Sequence, residues 1–349
     1  MKKVRLAIVG TGGMARVHAK QFLSIPECKI TAVCDVAPGR AEAFAKDHDV
    51  IGKFTDVQDL IKADGFDAVT IVTPDAFHAP VSLALLGAGK HVLCEKPLAL
   101  NHPDAVAMTE AAKKAGVINM VNFSYRDWSA IQSVAQVIKN GDIGEVVHVE
   151  ASYLQCWLAS KVWGDWKTSE GWLWRLSKKH GSNGVLGDVG VHIVDFATFP
   201  VGAVANVSCR LKAFPKAPGD RIGDYVLDAN DSAVLSVEFA NGALGTIHTT
   251  RWSSGHQNRL FLKISGTQGA VCIDSDVATD SYRICAGENL DTAIWETVAA
   301  DPTPNNYQRF ITSILSGKQD QPDFQRGADV QKVLDACLVS DEKRAEVAV

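Results

Sequence analysis

Val4-Arg-Leu-Ala-Ile-Val9-Gly10-Thr11-Gly12-Gly13-Met14-Ala15 is the stretch whose reading decides the fold. Its first half reads as a buried strand, and apolar residues at helical spacing follow over 12–23. The turn between them has the Gly-x-Gly-x-x-Ala form: Gly10 permits a tight turn, Gly12 lets backbone approach a pyrophosphate, and Ala15 lets the helix pack closely on the strand. Glycines alone would mark only a tight turn. Here Asp35 closes the next strand with a carboxylate able to accept ribose hydroxyl protons, which makes the stretch a dinucleotide fingerprint. Gly10, Thr11, Gly12, Gly13, Met14, Ala15 and Asp35 are therefore cofactor-binding candidates. Asp35 would repel a 2′-phosphate and is followed by Val36 rather than an arginine, so NAD is expected over NADP, although Arg40 stands near enough to blur the distinction.

Outward from this turn, strands at 4–9, 29–34, 68–73, 91–95 and 117–122 alternate with helices at 12–23, 38–46, 57–63, 77–88 and 103–115, with a weak strand near 53–54. That alternation predicts a parallel sheet covered on both faces. Two loops fall at carboxyl ends of its strands, where ligands bind in open α/β sheets. They add Thr73, Pro74, His78, Glu95 and Lys96 to the cofactor candidates. Lys96 is the residue of chemical interest: across such a crevice a lysine polarises a substrate oxygen or shifts a neighbouring acid or base, against the plainer reading of a solvated strand-end lysine.

At 349 residues two domains are expected, with a Rossmann domain over 1–122 and a substrate-binding and oligomerisation domain over 123–349. A composition of 46% hydrophobic and 21% charged residues is that of a folded soluble chain. The formal charge of -5, without clustered Lys or Arg, argues against nucleic-acid and membrane-surface partners. The Met-Lys-Lys start faintly resembles a signal peptide, but glycines, Arg16, His18 and Lys20 interrupt the apolar run, and no stretch is long enough to span a bilayer. Eight scattered cysteines with no Cys-x-x-Cys pair fit a reduced cytoplasmic interior.

Beyond residue 122 the alternation stops. A helix is expected over 129–139 and a long strand over 146–155; strands at 232–239 and 243–250 flank Asn241-Gly242, and others follow at 259–265, 270–274 and 281–286. Helices are read at 305–315 and 329–347. Residues 156–183 hold five of the eight tryptophans, which either fill a small core or stack on sugar rings. Tyr125, Trp163, Trp174 and Arg175 are the candidate substrate contacts.

Val185-Leu-Gly-Asp188-Val-Gly-Val-His192-Ile-Val-Asp195 has helical spacing, so Asp188 and His192, at i and i+4, are expected on one face. Such a pair passes protons, orients one another, or is a cap and a core histidine. A metal held by Asp188, His192 and Asp195 is the lesser option, because no second histidine or cysteine stands at ligand spacing, and no metal is expected.

The Gly-x-Gly-x-x-Ala turn, Glu95-Lys96-Pro97 and Asp188-Val-Gly190-Val-His192, in that order, make the chain resemble the glucose–fructose oxidoreductase and inositol dehydrogenase (Gfo/Idh/MocA) family over nearly its whole length. The resemblance implies an N-terminal Rossmann domain and a C-terminal α+β domain on a large, open, mostly antiparallel sheet. It implies an NAD(P)-dependent oxidoreductase acting on a carbinol of a sugar, inositol or sugar derivative, with Lys96, Asp188 and His192 at the reacting carbon. It implies, too, that the C-terminal helices pack back against the rest of the subunit, and that a homodimer or homotetramer forms through the open sheet. The glycine run usual before the Asp-x-Gly-x-His element is written here Gly181-Ser182-Asn183-Gly184. Two rivals stand beside this expectation: an NAD-dependent glycosidase that oxidises a sugar carbon only transiently, and a non-catalytic dinucleotide-binding sensor.

Overall fold

The computed structural model describes residues 3–349; Met1 and Lys2, which open the signal-like start, lie outside the described residues. The chain begins β1 (Val4–Val9), α1 (Gly13–Leu23), β2 (Cys28–Cys34), α2 (Pro38–Asp47), β3 (Gly52–Phe54), α3 (Val57–Ala63), β4 (Ala68–Ile71), α4 (His78–Gly87), β5 (His91–Cys94), α5 (His102–Ala115) and β6 (Asn119–Val121). The six strands form one parallel sheet in the order β3-β2-β1-β4-β5-β6. Strand order reverses between β1 and β4, so the glycine turn after β1 and the loop after β4 flank the crevice where such sheets bind ligands. Every residue of β4 is buried, as a parallel strand covered on both faces requires.

The compact unit built on this sheet also contains Pro304–Gln331. Tyr307, Phe310 and Ile311, on the helix Asn306–Ser316, share a core with Ile8, Phe22 and Met120. That helix starts on a capping box in which Asn305 and Gln308 each bond the other's backbone.

Buried polar groups tie these layers together. At the end of β5, Glu95 Oε1 lies 2.8 Å from His18 Nε2 and accepts a 2.7 Å bond from the Asn122 amide. His18 Nδ1 meets the Thr70 hydroxyl at 2.8 Å, and Asn122 reaches the Tyr307 hydroxyl at 3.1 Å. Burial opposes a charge on Glu95. The bond and charge of His18, the Asn122 amide and the Lys96 charge outweigh it and hold the carboxyl down at about 2.

The second unit comprises Tyr125–Thr303 and Lys332–Val349. Its strands are β7 (Val146–Leu154), β8 (Val204–Lys212), β9 (Arg221–Ile222), β10 (Tyr225–Val226), β11 (Ser232–Phe239), β12 (Leu244–Thr250), β13 (Arg259–Gly266), β14 (Gly269–Asp274), β15 (Ser281–Ala286), β16 (Glu296–Ala299) and β17 (Val347–Ala348). Nine make one sheet in the order β16-β15-β14-β13-β7-β12-β11-β8-β17, with only β7 and β12 parallel; β9 and β10 pair separately. Helices α6 (Ser129–Asn140) and α8 (Val191–Val201) pack on this sheet, and α7 (Glu170–Leu173) is a single turn before α8. On β11, Ala233, Leu235, Val237 and Phe239 are buried while Val234, Ser236 and Glu238 are exposed.

Three local expectations are corrected. Strands β8 and β16 were not anticipated, since polar residues interrupt their alternation and register comes from β11 and β15. The helix expected over 329–347 spans Phe324–Lys343. Its start is fixed by a tertiary cap, the Phe324 N–H donating to Asn119 Oδ1 at 2.7 Å, and its expected last residues pair instead with β8. The regular helix expected through Asp188 opens as a π-turn, Leu186–Gly190. A Cβ on Gly187 would lie 2.3 Å from the Asn183 side chain, so this packing requires glycine there.

Replacing Glu95 by Gln should lower stability by about 2 kcal/mol at pH 6. Because the Glu95 pKa is depressed from 4.5 to about 2 on folding, its contribution is complete above about pH 4.5 and is lost as the pH falls toward 2. Urea unfolding of both proteins should show the gap shrinking between pH 6 and pH 3; a gap independent of pH contradicts this account.

Candidate active site

The cofactor half is built by the turn after β1. Gly10 has φ +90°, and a Cβ there would lie 2.7 Å from the Val72 carbonyl oxygen, so only glycine lets β1 and the β4 loop run side by side. Gly12 and Gly13 have open space where a Cβ would stand. Gly12 caps α1 without a side-chain bond, and no acidic residue occupies the first turn, which leaves its N–H groups and positive helix end facing outward. Met14 is exposed and Ala15 fully buried under the turn. Thr73 Oγ1, at the end of β4, is buried without a hydrogen-bond partner. An open glycine turn, an uncapped helix end and an orphaned hydroxyl fit a bound dinucleotide.

Asp35 Oδ2 accepts from the Thr11 N–H at 2.9 Å and the Thr11 hydroxyl at 2.7 Å, and Oδ1 from the Ala37 N–H at 2.9 Å. Burial works against its charge, but the bonds from Ala37 and Thr11 and the Arg40 charge prevail and hold the carboxyl below its ordinary value. Three of roughly four acceptor positions are filled, leaving about one for a ribose hydroxyl rather than the two that the residue type alone allows. Next to it a cavity of about 370 Å³ is lined by Thr11, Gly12, Gly13, Arg16, Arg40, Ala43 and Phe44.

Pro74 is exposed, whereas His78 and Glu95 are buried and engaged by the protein itself. The two ring nitrogens of His78 face carbonyl oxygens, Nδ1 that of Pro97 at 2.7 Å and Nε2 that of Thr73 at 3.0 Å. Two acceptors require two N–H donors, hence an imidazolium. Burial opposes this cation, yet the Cys94 sulfur, the Asp75 charge and the Pro97 carbonyl raise its pKa to about 10. His78 thereby clasps the loop carrying Thr73 to the loop carrying Lys96. Lys96 is half-buried, and its N–H reaches Glu95 Oε2 at 3.2 Å.

In the second unit Asp188 lies in the π-turn, one-third exposed, and His192 lies in the first turn of α8, 8% exposed. The edge of His192 meets the Tyr125 ring at 4.8 Å. Asp188 Oδ2 accepts from Arg251 Nη2 at 2.9 Å, with Arg175 Nε 3.8 Å away. Asp195 spends both oxygens on Arg126, at 2.7 Å each, so it is an ion-pair partner. Among the described residues no three His, Cys, Asp or Glu side chains gather as a metal site.

The tryptophans divide. Trp157 and Trp166 are buried with Leu158, Leu173, Leu176 and Leu227. Trp163 stacks on Trp172 at 5.8 Å, and Trp174, 37% exposed, lies under the Arg175 guanidinium at 4.6 Å. Arg251, Tyr153 and Asn258 went unnoticed in the sequence. The Tyr125 and Tyr153 hydroxyls are hydrogen-bonded to each other, and Asn258 joins both, at 3.0 and 2.6 Å. Burial, then the Tyr125 hydroxyl and the Asp188 charge, push the Tyr153 phenol well up. No local pattern in Thr249-Thr250-Arg251-Trp252 marks a buried arginine.

A parallel nucleotide-binding sheet, followed by a mixed sheet whose packed helix opens on an acid and an imidazole, defines a two-domain oxidoreductase. Residues 4–123 match the Gfo/Idh/MocA oxidoreductase family with NAD-binding Rossmann fold, and residues 131–272 match the C-terminal domain of that family. The chain belongs to this family. It is 26% identical to levoglucosan dehydrogenase of Pseudarthrobacter phenanthrenivorans, with 100% of this chain and 99% of that protein covered. Levoglucosan dehydrogenase in complex with NADH and L-sorbose superimposes with a TM-score of 0.88 at 25% identity, covering 100% and 99% of the two chains. An oxidoreductase domain protein from Kribbella flavida gives a TM-score of 0.88 at 31% identity, covering 100% of both.

Asp35→Ser should weaken NAD binding by about tenfold or more, the worth of a hydrogen bond to a charged group. With the repelling carboxylate gone and Arg16 and Arg40 lining the adjacent cavity, NADP should gain relative to NAD; KM values for both cofactors measure this, and an unchanged ratio contradicts it.

Proposed function

We propose that the protein is an NAD-dependent dehydrogenase that oxidises, or in reverse reduces, a carbinol carbon of a sugar, inositol or sugar derivative. The observation that carries this reading is the Asp188–His192 turn, with Asp188 held by a buried arginine and His192 packed on Tyr125. It stands in a chain that matches a levoglucosan dehydrogenase from end to end. An NAD cofactor held at the glycine turn and Asp35 would supply the hydride acceptor, its nicotinamide. The His192 ring takes the hydroxyl proton. Asp188 orients the imidazole and offsets its charge. Lys96 stabilises negative charge developing on the substrate oxygen and disfavours a permanently protonated His192. Trp174, exposed, and Arg175, half-buried and stacked on it, contact the sugar face, and Trp163 supports them through Trp172.

Assembly as a homodimer or homotetramer through the outward face of the nine-stranded sheet goes with this reading; Val234 and Leu244 are 53% and 59% exposed there. So does a reducing, cytoplasmic setting, since all eight cysteines are free and buried. No helix among the described residues is long and apolar enough to cross a membrane.

The test is NADH absorbance over inositols, aldoses, glycosides including levoglucosan, and acidic sugars. Lys96→Met and His192→Ala should each slow turnover about a hundredfold or more while NADH affinity stays within about threefold. Wild-type turnover in both variants sinks the proposal. Aglycone released without net NADH would identify a glycosidase, and NAD binding with no turnover across the panel a sensor.

A further inference from the structure

Asp188 is gripped by a residue that no substrate reaches. The Arg251 side chain is fully buried, among the largest such side chains in the protein, and Nη2 donates to Asp188 Oδ2 at 2.9 Å. Nη1 donates to the Arg175 carbonyl at 3.0 Å, and the guanidinium lies 5.1 Å over the Trp157 ring. Its Nε is buried without a partner. A guanidinium does not give up its proton in a protein, so this is a permanent charge out of water, and Asp188 is the carboxylate bonded to it.

Other charged groups are disposed to leave that pairing intact. Arg175 approaches Asp188 from the turn Trp174–Leu176, Nε at 3.8 Å. Asp231, before β11, accepts the Arg251 main-chain N–H on its main-chain oxygen at 3.0 Å; its carboxylate Oδ2 takes the Lys216 ammonium at 2.9 Å and the Phe214 N–H at 3.0 Å, and its charge supports Arg251 from a distance, after that of Asp188. From Trp157 a chain of contacts leads to His192. The indole N–H donates to Gln155 at 3.1 Å, Gln155 to Asn258 at 2.9 Å, and Asn258 to the Tyr125 hydroxyl at 3.0 Å; the Tyr125 ring rests on His192. Arg251 thus stands at one end of a chain of contacts that touches both members of the pair.

We propose that Arg251 is a positioning residue that holds Asp188 as a fixed, acceptor-only carboxylate, so that the reacting proton resides on His192 and never on Asp188. The step is a simple transfer: the substrate hydroxyl would lose its proton to the His192 ring as hydride leaves the same carbon for the nicotinamide. Asp188 changes neither protonation nor bonding. This rests on the dehydrogenase reading above, and it divides the labour between the two residues that the reading leaves joined.

The test compares Arg251→Gln, which removes the charge, with Arg251→Lys, which keeps it but offers one point donor in place of the planar fork. Cooperative urea unfolding, together with NADH binding, establishes that each variant is folded. In the Gln variant the titration midpoint of the His192 ring, followed by NMR and assigned with His192→Ala, should move up by about one pH unit, because the compensating cation is gone. The acidic limb of kcat/KM should move with it, and kcat should fall about a hundredfold with the KM for NAD unchanged. In the Lys variant the midpoint should stay and kcat should fall only about tenfold. A Gln variant with unmoved midpoint and wild-type kcat overturns the proposal, as does an equal displacement in both variants, which would mark Arg251 as merely structural. If the Gln variant fails to bind NADH, Arg251→Lys is combined with Asp188→Asn: losses of kcat that do not add support the coupling, and additive losses overturn it. Failure of the dehydrogenase reading looks different, since His192→Ala would then retain full turnover or no sugar would yield NADH.

Discussion

Two hydrogen bonds of 2.7 Å lock Arg126 to Asp195, and the orientation of helix α8 depends on them. Both side chains are 3% exposed, so removing either would strand a charge away from water. The Arg126 guanidinium also lies 3.6 Å over the Phe199 ring, one turn further along α8. Tyr125 immediately precedes Arg126 and His192 stands one turn before Asp195, so a two-residue segment grips three successive turns of one helix. The helix is held against rotation as well as translation, and the His192 ring is held against Tyr125.

The same device recurs around the other candidate site side chains. Glu95 is held by His18 and Asn122 and in turn accepts the Lys96 N–H; His78 clasps the backbone on either side of the crevice. Lys216 and Asp231 are paired with both side chains fully buried. Buried ion pairs contribute little net stability compared with apolar side chains of the same volume, because desolvation consumes most of the attraction. Their value is directional. The stability resides in the apolar layers, such as the cluster of Ile8, Phe22, Met120 and Phe310, while the polar pairs decide which way the turns between those layers point.

The first unit was legible because its rules are local. Branched apolar runs separated by helical spacing and a glycine turn leave few alternatives to a parallel nucleotide-binding sheet, and every expected strand of that sheet is present to within two residues. The second unit was legible where a turn announced itself, as at Asn241-Gly242, and illegible at β8 and β16, whose pairing partners rather than their own residues make them strands. That Pro304–Gln331 joins the first unit came only as what the resemblance implies, not from the residues themselves: Tyr307 and Phe310 look like any amphipathic face, and only their neighbours are informative.

By itself the sequence determined the family and the cofactor class and singled out the candidate site residues, because these follow from short spacings: Gly10 to Ala15, Glu95 to Pro97, Asp188 to His192. Only the tertiary structure decided what each side chain does there. It made Asp195 an ion-pair partner, gave Asp188 a buried arginine from a strand end 63 residues away, filled most of the acceptor positions of Asp35 with Thr11 and Ala37, and sorted the tryptophans into core and surface. The physical reason is common to all four. Hydrogen-bond capacity, desolvation and exposure belong to a group's surroundings, and in a folded chain those surroundings are supplied mostly by residues distant in sequence.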